Sequence, residues 1–365
     1  MTQDCPEHHS EQAAISAGSS AIRRSLAVIA LGEVMIRLSP PGAGRLESAR
    51  TLEVDVGGGE YNVVHALARF GWPAAFVTRL PDHELSRVVW AHARAAGLET
   101  RWMLPAPHDG VGRSGRLGLN FAEIGAGVRG GLVLFDRGHS SASQFRPEDV
   151  DWSAVFGSGA RWFHASGIFP VLAPNCADTL EAALVAARGA GLTVSYDLNY
   201  RASLCPPETA AAINRRMLKH VEVLVGSPDG FEWLLADRAP SAGRPASEIV
   251  KSLRTQFPGL KVVAGTVRTV RSATRHELAG FFHREGEWTA DPGWPDLEVL
   301  DRVGTGDAFS AGVIHGLLSG WPPDRTLRFA LAHAALVHTI RGDTSQFTVS
   351  EVEALAGAGG AAMRR

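Results

Sequence analysis

Short apolar runs alternate with longer stretches of helical periodicity along most of this chain, beginning at residue 26. Residues 26–33 read as a buried strand closing on Gly32, and 34–38 as a second. A Pro-Pro-Gly turn then leads to 51–56, whose alternation predicts a half-exposed strand. Gly57, Gly58 and Gly59 open a helix over 63–70. A strand is predicted at 74–79 and an amphipathic helix at 84–96, ending at Gly97. Residues 115–123 and 131–137 alternate again. Between them Gly125 to Gly130 spell G-x-G-x-x-G, but a strand follows rather than a helix, so a hairpin turn is predicted.

From residue 161 the alternation becomes regular. Strand-like runs at 162–165, 192–197, 221–225 and 260–264 are interleaved with helical runs at 176–188, 207–220, 230–236 and 246–257. That order implies a parallel sheet with helices on both faces. Such sheets bind ligands beyond the carboxyl ends of their strands. Three polar clusters fall on that rim: 197–201, 266–271 and 304–307.

The last cluster lies in Asp301-Arg302-Val303-Gly304-Thr305-Gly306-Asp307, just ahead of an apolar helix over 308–318. Glycines there let backbone N–H groups converge at a helix N-terminus, where the dipole favours an anion. A carboxylate in the first turn, Asp307, then suits a general base for a hydroxyl attacking a phosphoryl group. A plain helix cap is the alternative for Asp307, and equally for Asn62 after the first glycine turn. No Walker A motif is present, which excludes a P-loop NTPase.

Composition narrows the class. The 365 residues are 45% hydrophobic and 20% charged, enough for one large α/β domain with an appendage. A net charge of -2 with both signs interspersed implies no nucleic-acid surface. No apolar stretch approaches the roughly 20 residues of a membrane span. Three cysteines (Cys5, Cys176, Cys205), an odd number without metal-ligand spacing, suit a reducing cytoplasm. Residues 1–25 are polar and lack a signal-peptide core, so a disordered extension is expected, with a tail at 356–365.

Two signatures, residues 57–71 with Gly57-Gly58-Gly59-Glu60-Tyr61-Asn62 and residues 301–309 with Gly304-Thr305-Gly306-Asp307, resemble those of the ribokinase-like (PfkB) carbohydrate kinases. The resemblance covers about 26–355. Within the family the chain is most similar to kinases of 2-keto-3-deoxygluconate, on residues 196–201, 266–275, 135–137 and 338–343. The resemblance implies a doubly wound, mostly parallel sheet, with a small β lid drawn from about 35–56 and 115–137 that often mediates dimer contacts. It implies ATP and Mg²⁺ as cofactors, with K⁺ left open, and a sugar acid phosphorylated on its terminal primary hydroxyl.

Carried over by position, the resemblance makes Asp307 the catalytic base and Gly304, Thr305 and Gly306 the anion hole. Gly58 and Asn62 match sugar contacts, and Asn120 and Phe135 lid positions. Arg137 and Arg201 match arginines near the keto-acid, a role suited to guanidinium; surface salt bridges are their alternative. Asp343 matches a contact to the substrate's far end. Asn199, Ser227 and the turn of Thr266, Val267 and Arg268 match nucleotide-side positions. Glu33 borders the sugar site or ends a strand structurally. His164, His333 and His338 read as packed core histidines.

The chain also departs from the family. Ser227 and Gly230 stand where an Asn-x-x-Glu motif organises Mg²⁺ and phosphate, leaving Asp229 and Glu232 as substitutes. Asn120 and Phe135 stand where tyrosines are common. These departures keep two rivals in play: a kinase of another keto sugar such as fructose, and a catalytically weak sugar or nucleotide sensor.

Overall fold

The structure, a computed structural model, describes residues 25–235 and 243–358. The expected N-terminal extension (all but Ser25), Cys5, Ala236 and residues 359–365 lie outside them. The first strands are β1 (Val28–Leu31), β2 (Met35–Ser39), β3 (Glu53–Gly57), β4 (Ala74–Pro81) and β5 (Met103–Ala106). Next come β6 (Leu119–Glu123), β7 (Leu132–Asp136), β8 (Trp162–Ser166), β9 (Thr193–Asp197) and β10 (Val223–Gly226). The last three are β11 (Val262–Ser272), β12 (Arg275–Arg284) and β13 (Glu287–Glu298). The helices begin with α1 (Gly59–Arg69), α2 (Glu84–Ala95), α3 (Trp152–Phe156), α4 (Pro174–Gly189) and α5 (Pro207–Leu218). They continue with α6 (Pro228–Leu235), α7 (Ala246–Gln256), α8 (Thr305–Leu318), α9 (Pro323–Val337) and α10 (Val349–Ala358).

Nine strands form one sheet in the order β13-β12-β11-β10-β9-β8-β1-β4-β5. From β11 to β5 every pairing is parallel, whereas β11-β12 and β12-β13 are antiparallel. Strand alternation sends Val28 and Ala30 of β1 into the layer packed by α1, α8, α9 and α10. It sends Ile29 and Leu31 into the layer of α3 to α7. Both faces of the strand are therefore apolar, which is why it reads as a continuous hydrophobic run.

The antiparallel β11-β13 meander is a correction. Residues 266–271 were expected as a polar turn at a strand end, but they continue β11. Two features concealed it. β11 leaves the core after Gly265, exposing Val267 and Val270. β13 carries Pro292 and Pro295, which an edge strand with irregular register tolerates. α10 likewise carries helix past residue 355, where a tail was expected.

A separate four-stranded sheet has the order β3-β2-β6-β7 and comes from the two segments expected to supply a lid. Arg37 pairs with Asp55 and Asn120, and Asn120 with Phe135, so these share one face. Val54, Leu38, Phe121 and Leu134 form a row across the other.

Candidate active site

The N-terminus of α8 is shaped by one glycine. Gly304 caps the helix at φ 77°, and a Cβ there would run into the backbone oxygen of Asp343. Asp307 is therefore the third residue of the helix and not its cap. Its Oδ2 accepts a hydrogen bond of 2.6 Å from Asn62 Nδ2 in the first turns of α1. Asn62 Oδ1 in turn accepts the Gly58 N–H at 3.2 Å. Gly58 is the cap of α1, and a Cβ on it would meet the Glu33 carbonyl. Each signature thus begins a helix, and Asn62–Asp307 joins the two.

Burial pushes the Asp307 carboxyl up to about 8, helped by nearby Asp197 and opposed by the Asn62 bond. Burial also raises Asp197 to about 6, although Ser310 Oγ donates to it at 2.9 Å. Glu60 rises to about 7 for the same reason, against a bond from Ser166. Three buried carboxyls with elevated proton affinity therefore line one cleft, a pattern typical of acid–base sites.

Above them lies a cleft of about 450 Å³. Its floor is Gly304, Thr305, Gly306 and Asp307, with Gly58, Asn62 and Asp343 alongside. The small sheet contributes Asn120, Phe135 and Arg137, and the rim after β9 contributes Asn199 and Arg201. A second cavity of about 360 Å³ shares Ser227, Thr266, Arg268, Thr305 and Gly306 with the first, and adds Val267, Asp229 and His338. The fold thus brings every site residue expected from the sequence to one of two adjoining hollows, with the Gly304–Gly306 backbone between them.

Details differ from expectation. Arg137 reaches the cleft, but its guanidinium is ion-paired with Glu33 and lies 5.4 Å from the Phe135 ring centroid. Asp343 Oδ1 is engaged by Arg37 Nη1 at 2.8 Å, so less of that carboxylate faces a ligand. Ser227 Oγ accepts the Gly230 N–H at 3.2 Å, a local bond at the start of α6. Asp229 lines the second cavity, while Glu232 is buried and borders neither. His164 and His333 are core side chains, as read. His338 is also buried, yet it edges the second cavity.

Two arginines escaped the sequence reading. Arg302 lines the cleft, and among the described residues the side chains of Arg201, Arg268 and Arg302 have no hydrogen-bond or ion-pair partner. Arg268 is pulled below its ordinary value by burial and then by Arg302 and Arg201. Like charges around one hollow, offset in part by the attraction of Arg201 to Asp197 and Asp307, favour a polyanion. Arg302 was visible inside the second signature. Arg37 gave no signal, because a buried arginine in an otherwise apolar strand is defined only by its distant partners, Asp301 and Asp343.

Residues 25–348 match the model of the pfkB family carbohydrate kinases. The chain belongs to that family. This pfkB chain is 32% identical to a 2-dehydro-3-deoxygalactonokinase of Haloferax volcanii, over 93% of its own length and 99% of the relative's. It is 29% identical to a 2-dehydro-3-deoxygluconokinase of Thermoproteus tenax, over 90% and 93%. The crystal structure of a 2-dehydro-3-deoxygluconokinase from Thermotoga maritima superposes with a TM-score of 0.84 at 35% identity, covering 91% of this chain and all of that one. The pfkB fold accounts for the large, mostly parallel sheet and the smaller separate one.

Proposed function

We propose that this carbohydrate kinase transfers the γ-phosphoryl group of ATP to the terminal primary hydroxyl of a 2-keto-3-deoxy sugar acid. 2-Keto-3-deoxygluconate, giving 2-keto-3-deoxy-6-phosphogluconate, is the acceptor for which the Thermoproteus tenax and Thermotoga maritima relatives are named. The carrying observation is the placement of Asp307 beside the Gly304–Gly306 turn, in a cleft that also presents the unpaired Arg201. Asp307 takes the proton of the attacking hydroxyl, and its elevated proton affinity makes it a stronger base once its own proton is lost. The backbone donors of the turn stabilise charge on the transferred group. Arg268, which borders both cavities, and its neighbour Arg302 in the cleft would face the same charge. Arg201 receives the acceptor's carboxylate, which a neutral sugar such as fructose would leave unmatched.

Mg²⁺ fits this arrangement as a nucleotide-borne ion. Among the described residues no cluster of three or more His, Cys, Asp or Glu could cage a metal. Asp229, on the second cavity, is the carboxylate available to hold it alongside phosphate oxygens. Mg²⁺ supplies charge neutralisation across the phosphates. The carboxylates flanking the turn, Asp301 and Asp343, share the single guanidinium of Arg37. Consumption of ATP and the free thiols of Cys176 and Cys205 fit the cytoplasm. No helix among the described residues is long and apolar enough to cross a membrane.

The small sheet also supports a homo-oligomer. Its face away from the cleft carries Val54, Leu38, Phe121 and Leu134, with Val54 and Leu134 more than half exposed. Such a face is best covered by a second copy of the same lid. The test of the reaction is a coupled ADP-release assay with 2-keto-3-deoxygluconate, 2-keto-3-deoxygalactonate and fructose. Turnover of a keto-deoxy acid with none of fructose supports the reading, and the reverse order of rates overturns it.

A further inference from the structure

Three buried polar atoms without a partner meet on the small-sheet side of the cleft: Glu33 Oε1, Asn120 Oδ1 and Arg137 Nε. Glu33 is 3% exposed and follows β1, and its Oε2 is taken by the Arg137 guanidinium. Gly118 packs against Oε1, leaving no protein donor in that place. Elsewhere in the site the buried carboxylates are satisfied: Asn62 bonds Asp307, Ser310 bonds Asp197 and Ser166 bonds Glu60. An orphaned buried polar atom costs about 1–3 kcal/mol. Three together at the wall of a cleft are accounted for by a ligand that completes them.

Their chemistry selects the ligand group. The Glu33–Arg137 pair is neutral as a unit, and its open acceptor is a carboxylate oxygen. A substrate carboxylate placed there would face Glu33 and be repelled. A hydroxyl would donate to Glu33 Oε1 and could accept from Arg137 Nε. We propose that Glu33 is a specificity-determining residue that accepts a hydrogen bond from a secondary hydroxyl of the acceptor's chain, with Arg137 donating to a neighbouring oxygen. The acceptor's carboxylate then falls to Arg201 alone. This inference rests on the reading of the cleft as a sugar-acid kinase site. It adds that the Glu33–Arg137 pair reads hydroxyl groups and does not clamp the acid.

Steady-state kinetics on the full chain tests it, using 2-keto-3-deoxygluconate and its analogues lacking the C4 or the C5 hydroxyl. With wild type, one of the two analogues should lose about 10- to 100-fold in kcat/KM, the range of a hydrogen bond to a charged group. Glu33→Gln and Glu33→Ala should lose a similar factor on the parent compound while leaving the KM for ATP within about 2-fold. On the sensitive analogue Glu33→Ala should add less than about 3-fold, because the partner is already gone. Equal wild-type rates on all three compounds overturn the proposal whether or not the variants fold. So does an equal loss on all three in the variants, the result expected of a merely structural role. Absence of ADP release by wild type with any keto-deoxy acid overturns the functional reading as well. Turnover of the parent that is indifferent to Glu33 overturns this inference alone.

Discussion

Asn62 Nδ2 donates to Asp307 Oδ2 at 2.6 Å, across 245 residues of sequence. The bond holds the carboxylate in the first turn of α8 and leaves Oδ1 facing Gly59, at the start of α1. A base fixed in this way needs no reorganisation when the acceptor hydroxyl arrives. Asp307→Asn should therefore lower kcat by about 100- to 10,000-fold, the usual worth of a general base, with the KM for ATP changed only a few-fold. ADP release at saturating acceptor measures it, and near wild-type turnover would remove Asp307 from the role.

Asp307 also couples pH to both rate and stability. The folded protein holds its proton up to about pH 8, whereas an unfolded aspartate releases it near the ordinary value of 3.8. Raising the pH between those values thus favours unfolding of the ligand-free protein. Thermal melts from pH 5 to 9 should show Asp307→Asn gaining on wild type as pH rises. Over the same window, kcat/KM of wild type should climb towards a plateau above about pH 8. A Tm difference independent of pH would contradict this.

The three unpaired arginines divide the anionic load. Arg201→Ala should raise the KM for the sugar acid about 10- to 100-fold, as loss of a charge-assisted pair does, and leave the KM for ATP nearly unchanged. Arg302→Ala should do the opposite, weakening ATP or lowering kcat. If Arg137→Ala alone abolished acid recognition and Arg201→Ala did not, the assignment of the carboxylate would be reversed.

Arg37 is fully buried between Asp301, at 2.7 Å, and Asp343, at 2.8 Å. Its guanidinium ties β2 to both flanks of the turn that carries Gly304. Burial already pushes Asp343 above the usual carboxylate range, against the pull of Arg37. Arg37→Met, leaving two carboxylates facing each other, should cost about 3–5 kcal/mol in urea unfolding. A loss under about 1 kcal/mol would mean that the pair is solvated.

The outer face of the small sheet gives an assembly test. A charge within the row of Val54, Leu38, Phe121 and Leu134 would have to be desolvated in any lid-to-lid contact. Leu134→Glu should shift the mass measured by light scattering from that of an oligomer to that of one chain. Unchanged mass for the variant, or a monomeric wild type, would rule out this face.

Much of the molecule was legible in the chain because the signals are local. Runs apolar on every position announce strands buried on both faces, as at residues 28–31. Glycines ahead of helices announce the Gly58 and Gly304 turns, and the spacing from Gly304 to Asp307 sets the carboxylate in the first turn of α8. The alternation in 115–123 and 131–137 announced the β6–β7 hairpin, and only the family resemblance assigned it to a separate small sheet. The meander of β11 to β13 was not legible, since an exposed edge need not keep alternation or exclude proline.

What the sequence determined by itself is the set of reactive groups and the helix ends that present them. Pairings between distant residues were decided only by the tertiary structure. It joined Asn62 to Asp307, neutralised Arg137 with Glu33, placed Arg37 between two aspartates and left Arg201 unpaired. The reason is physical. A side chain's identity fixes which charge it can carry, but its burial and its partner fix whether that charge remains available to a substrate, and neither is a property of nearby sequence.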